Sequence, residues 1–130
     1  MSSQERELVD AARQVQSRAY APYSGFKVGA ALRGASGRVY TGCNVENASY
    51  GATVCAERAA IAQMVAAGEE RLTSVAVYTE ADEPAMPCGI CRQALMEFAE
   101  GDVPVVAIGP SSERRSTLAK LLPAPFRFHR

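Results

Sequence analysis

The chain has 130 residues, enough for one domain of ordinary size with its own core. Hydrophobic residues make up 48% and charged residues 22%, and 14 Lys plus Arg balance 14 Asp plus Glu. Zero net charge argues against a nucleic-acid binder or an electrostatic membrane anchor, and no apolar run approaches the roughly 20 residues that a spanning helix needs.

The polar start Met1-Ser-Ser-Gln-Glu-Arg-Glu7 offers no apolar secretory segment, so a cytoplasmic chain is expected. Ser2, with Glu5 three residues on, predicts a capped helix whose apolar stripe is Leu8, Ala11, Ala12, Val15 and Ala19. A loop broken by Pro22 and Gly25 follows. Alternation from Val28 to Leu32, the turn Gly34-Ala-Ser-Gly37 and the run Arg38 to about Cys43 predict a hairpin. The polar loop Asn44–Gly51 leads to a candidate cap at Thr53. From Val54 to Ala67 the sequence is apolar almost all round, which predicts a buried helix ending at Gly68. Leu72 to Tyr78 reads as a central strand covered on both faces. Pro87 precedes a helix from Cys88 to about Ala99, Val103 to Ile108 is a second buried strand, and Leu118, Leu121 and Leu122 mark a short helix before Pro123. A hairpin followed by alternating helix and strand predicts an α/β fold, with right-handed crossovers and helices on both faces of a mixed sheet.

Three of the four cysteines fall in two motifs at helix starts, Cys55-Ala56-Glu57 and Pro87-Cys88-Gly89-Ile90-Cys91. Residues three apart share a helix face, so Cys88 and Cys91 can hold one metal ion, with Cys55 brought from the other helix. Competing readings are a thiol redox pair, small buried apolar cysteines, and a closed structural zinc with Cys43 or His129 as fourth ligand. Cys43, outside both motifs, reads as a small buried residue, and His129 as an exposed tail residue. Three protein ligands and an open position make the catalytic arrangement, in which a coordinated water ionises near pH 7. Glu57 sits beside that position and can take and return a proton. Arg58, three residues after Cys55, can offset the excess charge of three thiolates, and two helix N-termini add positive potential.

A ligand, one residue, Glu, and then Pro-Cys-x-x-Cys is the signature of zinc deaminases. The chain resembles the small cytidine deaminases in Phe26-Lys-Val-Gly-Ala-Ala-Leu32, Gly42-Cys-Asn-Val-Glu-Asn-Ala-Ser-Tyr-Gly51, Cys55-Ala-Glu-Arg58, Pro87-Cys-Gly-Ile-Cys-Arg-Gln93 and Leu121-Leu-Pro-Ala-Pro-Phe126, in matching order from about Tyr20 to Phe126. The resemblance implies a single three-layer αβα domain over residues 1–130 with about five strands. It implies one zinc per subunit on Cys55, Cys88 and Cys91, Glu57 as proton shuttle, and Arg58 as charge compensation. Asn44 and Glu46 would grip the ribose 3′-hydroxyl, Phe26 would pack on the pyrimidine, and the Ala56 backbone would hold the base edge. Phe126 would come from a neighbouring subunit of a homotetramer, with Tyr50 near such a boundary. The implied reaction turns cytidine and 2′-deoxycytidine into uridine and 2′-deoxyuridine with release of ammonia, in pyrimidine salvage, with no nucleic-acid or membrane partner. Deaminases of nucleoside antibiotics such as blasticidin S are similar at the zinc motifs, but Asn44-Val-Glu46 points to ordinary nucleosides. The tail Phe126-Arg-Phe-His-Arg130 departs from the family pattern, whose C-termini are commonly longer and less basic.

Overall fold

The computed structural model describes residues 1–128, so His129 lies outside the described residues. Helix α1, Ser3–Gln16, is capped by Ser2, whose hydroxyl accepts from the Glu5 N–H, as the sequence indicates. Then come β1 (Val28–Gly34), β2 (Val39–Cys43), a single 3-10 turn at Tyr50–Ala52, α2 (Ala56–Ala66), β3 (Leu72–Thr79), α3 (Gly89–Met96), β4 (Pro104–Ile108), β5 (Glu113–Thr117) and α4 (Leu118–Leu121). The strands form one sheet in the order β2-β1-β3-β4-β5. Only the β3/β4 pair is parallel, so the sheet is mixed.

Successive side chains alternate between the two faces. Ala31, Ala76, Tyr78, Val106 and Ile108 meet Leu8, Val9 and Ala12 of α1 on one face. Ala30, Leu32, Val75, Val77 and Val105 meet Ala60, Met64, Leu95 and Leu118 from α2, α3 and α4 on the other. These are the three layers expected, and β3 is buried on both faces from Val75 onward. The alternation in β1 separates two helix layers rather than core from solvent. Its small residues are there because helix backbone comes close: a Cβ at Gly29 would lie 2.0 Å from the Ala12 carbonyl oxygen.

Gly42 plays the same part for α2. A Cβ there would lie 2.4 Å from the Ala60 nitrogen and 2.6 Å from the Ala56 oxygen, both backbone. Gly42→Ala is therefore expected to lower unfolding free energy in urea by about 1–3 kcal/mol or more, because α2 must move off the sheet. A variant with the parent's midpoint and slope would show that the helix has room to shift.

Three sequence expectations are corrected. Helix α2 begins two residues late, because Val54 pairs with Val45 in an isolated bridge. Its N-cap is Cys55 rather than Thr53, whose hydroxyl accepts from the Asn47 N–H instead. Helix α2 is also not buried all round, since Ala62, Val65 and Ala66 are exposed. The fifth strand that the resemblance implies is β5, which the sequence pattern did not place because Glu113-Arg-Arg-Ser-Thr117 has no apolar alternation. It is an edge strand on β4, fastened by the Arg115 guanidinium to Glu5 at the start of α1. No helix among the described residues is long and apolar enough to cross a membrane.

Candidate functional site

Topology brings the cysteine motifs together. Strands β2 and β3 are each antiparallel to β1, so they run the same way and end at the same sheet edge. Helix α2 follows β2 and α3 follows β3, so both helices start at that edge. Cys55 is the N-cap of α2 and Cys88 the N-cap of α3, positions that ordinarily go to Ser, Thr, Asn or Asp. Neither makes a side-chain capping bond, which leaves both sulfurs for something else. Cys91 lies one turn into α3 and is fully buried.

The sulfurs of Cys55, Cys88 and Cys91 lie within 4.8 Å of one another. Tetrahedral zinc with bonds of about 2.3 Å needs sulfurs about 3.8 Å apart, so less than about 1 Å of contraction closes the cluster on a metal. Cys43 does not join it and is half-buried, not fully buried as expected. The donor set therefore suits one zinc ion. Electrostatics agree. Burial pushes the Cys91 thiol strongly upward, with the Glu57 and Cys55 charges adding to it. Burial also pushes Cys88 upward, but the Cys91 thiol and the Ile90 and Cys91 N–H groups in the first turn of α3, near the sulfur though making no capping bond with it, outweigh burial, and Cys88 ends lowered. A bound cation deprotonates coordinating thiols outright, which offsets the upward push on Cys91.

Glu57 is only 5% exposed although its side chain is ionisable. Burial raises its carboxyl above the ordinary range, against its own N–H and the Arg58 charge. Arg58 donates to the Thr53 carbonyl at 3.2 Å and reaches Cys55 Sγ at 3.7 Å. Its guanidinium is held more firmly protonated, first by Cys55 and also by Cys91, against burial. Ala56 is buried, and as the first residue of α2 its N–H has no intrahelical acceptor.

Asn44 and Glu46 follow β2 at the same edge, and both have structural work. Asn44 Oδ1 accepts from the Val28 N–H at 2.8 Å and its Nδ2 donates to the Phe26 carbonyl at 2.9 Å. Glu46 accepts from the Tyr23 and Ser24 N–H groups and from the Ser24 hydroxyl, which lowers its pKa. The pair thereby ties down the loop that carries Phe26. A carboxylate has about four acceptor sites and an amide nitrogen two N–H groups, so each residue keeps capacity for a ligand. Phe26 is 44% exposed, Tyr50 93% and Phe126 71%, so none of the three is core packing within one chain.

Two residues to which the sequence reading gave no role also act here. Arg92 donates through Nε to the Pro87 carbonyl at 2.6 Å and through Nη1 to the Leu121 carbonyl at 3.0 Å. Gln93 exchanges two hydrogen bonds with the Phe126 backbone. Their place inside the Pro87–Gln93 motif was the available signal. The cavity of about 500 Å³ between α1 and the β4–β5 edge, lined by Glu5, Arg33 and Arg115, is remote from the cysteines and holds only paired charges.

The model of the cytidine and deoxycytidylate deaminase zinc-binding region matches residues 2–107. A cytidine deaminase of Sporosarcina psychrophila is 41% identical over 120 residues, covering 92% of this chain and 88% of that protein. One of Mycobacterium tuberculosis is 45% identical over 115 residues, covering 88% and 84%. The crystal structure of the Burkholderia pseudomallei cytidine deaminase superimposes with a TM-score of 0.89 at 43% identity, covering 97% of this chain and 100% of that one.

Proposed function

Because this chain belongs to the cytidine and deoxycytidylate deaminase zinc-binding family, we propose that it is a cytidine deaminase, hydrolysing the exocyclic C4 amine of cytidine and 2′-deoxycytidine to give uridine, 2′-deoxyuridine and ammonia. The observation that carries this reading is a buried carboxylate, Glu57, two residues from Cys55 of a thiol cluster fit for one zinc. Zinc, when bound, lowers the pKa of a coordinated water to about 7 and so supplies the nucleophile at neutral pH. Glu57 moves the protons. It takes one from the attacking water and passes it to N3 as oxygen adds to C4, then takes the proton of the new C4 hydroxyl and delivers it to the departing amine, leaving C4=O and N3–H. A carboxyl raised by burial suits a group that must be both base and acid in one turnover. Arg58 stabilises the thiolates.

Phe26 packs on the base, the Ala56 backbone holds its edge, and Asn44 and Glu46 bind the ribose. Phe126 and Tyr50 complete the site across subunit boundaries in a homotetramer. The exposed aromatic side chains Tyr20, Tyr23, Phe26, Tyr50, Phe126 and Phe128 support that assembly, since aromatic surface on this scale is usually covered by a partner. The cytoplasm and the reuse of free pyrimidine nucleosides complete the reading.

The absorbance change on adding cytidine to purified, zinc-loaded protein tests the activity; no change, with zinc bound, counts against it. The ribose pair is better tested on the substrate than by mutation, because Asn44 and Glu46 also hold the Phe26 loop. With 3′-deoxycytidine their polar groups go unpaired at a cost of roughly 1–3 kcal/mol, on the order of 5–150-fold in kcat/KM. Equal efficiency on cytidine and its 3′-deoxy form removes the assignment.

A further inference from the structure

The segment that carries Phe126 is fastened by α3. Gln93 Nε2 donates to the Phe126 carbonyl at 2.8 Å, and the Phe126 N–H donates to Gln93 Oε1 at 3.1 Å. A single amide side chain thus makes the reciprocal pair of bonds that a facing strand residue would make, fixing the backbone at 126 in position and rotation. Arg127 adds a weaker bond to the Met96 carbonyl at 3.4 Å, and Arg92 ties Leu121 to Pro87. The segment is therefore held at Leu121, Phe126 and Arg127. Yet the ring of Phe126 is 71% exposed. Burial does not anchor it; the backbone is clamped while the aromatic ring is held out from the chain. Gln93 stands two residues after Cys91, so the clamp and two of the zinc-binding cysteines share one short helix.

We propose that Gln93 is a positioning residue, which presents Phe126 to a neighbouring subunit's nucleoside site while Cys88 and Cys91 of the same helix serve their own. The proposal rests on the reading of Phe126 as a shared-site residue. It differs from plain tail fastening in where the defect falls: loosening Gln93 harms the neighbour's site and spares its own.

The test uses the full-length, zinc-loaded protein with Gln93→Met, which keeps side-chain length and removes both hydrogen bonds. Zinc content stays at the parent's value and KM for cytidine rises about tenfold, the worth of roughly one or two hydrogen bonds, while kcat changes less. Phe126→Ala has the same signature, and the double variant is no worse than Phe126→Ala alone, as expected of residues acting as one unit. Subunits carrying Gln93→Met are then exchanged with inactive Glu57→Ala subunits, whose tails are intact. Live sites that receive an intact neighbouring tail regain the parent KM. If Phe126→Ala is rescued in such mixtures and Gln93→Met is not, the clamp proposal is overturned and the shared site stands. If neither is rescued despite demonstrated exchange, the shared site itself is wrong. Should Gln93→Met fail to fold, Gln93→Glu, which keeps the acceptor and loses the donor, takes its place. Loss of zinc from both variants would make Gln93 part of the metal helix's architecture and overturn the proposal.

Discussion

Glu57→Gln lowers kcat for cytidine by about 10²–10⁴-fold, the usual share of a general acid–base group, and more if both proton transfers pass through this one residue. Zinc content and the thermal transition stay near the parent's. The side chain is 5% exposed and sits in the first turn of α2, against the thiol cluster rather than facing solvent. Glutamine fills the same space and can still accept a hydrogen bond, but it cannot take a proton from water. Burial already penalises the charge of Glu57, so its removal carries no stability cost. Metal analysis, a melting curve and steady-state rates on one preparation check all three statements. A variant within about tenfold of the parent would make Glu57 a buried carboxylate without a chemical task.

The cysteines of the candidate zinc site were legible because their spacing is local and because the strand directions can be derived. Cys88 and Cys91 lie on one helical turn, and a hairpin followed by two crossovers brings the starts of both helices to one sheet edge. What was not legible depended on partners distant in sequence. Strand β5 carries no apolar pattern, and it exists because β4 offers it an edge and Glu5, 110 residues away, meets Arg115. The start of α2 depended on Val45, which draws Val54 into a bridge. Asn44 and Glu46 were singled out through resemblance as a ribose pair, but their observed hydrogen bonds, which hold the Phe26 loop, follow only from the three-dimensional placement of Val28 and Ser24. Gln93 was the least visible, since a glutamine on a helix ordinarily reads as a solvated polar residue. The exposed side of α2 has a related cause. Its sequence is apolar enough for burial on all sides, whereas a single chain covers only part of it, as expected if another copy supplies the rest.

Cys88→Ala abolishes turnover and removes the zinc, a larger effect than that of Glu57→Gln because the nucleophile itself is lost. Cys88 is the informative ligand to change. Cys91 is fully buried, and its removal would also disturb packing, whereas Cys88 is exposed at the N-cap of α3 and makes no capping bond. Its loss therefore leaves the helix start nearly unchanged and takes away one ligand of three. A site with two thiolates binds zinc too weakly to fill at ordinary concentrations. The stabilisation by the bound metal goes with it, about 4 kcal/mol for a site at a thousandfold its dissociation constant. The same loss follows from chelating zinc out of the parent, but there added zinc restores activity and in Cys88→Ala it does not. That contrast separates a ligand from a structural thiol. Retention of near-parent zinc and activity in Cys88→Ala would mean that the metal, if present, is held elsewhere. The proximity of the three sulfurs within 4.8 Å would then be only a packing consequence of two helix starts meeting at one sheet edge.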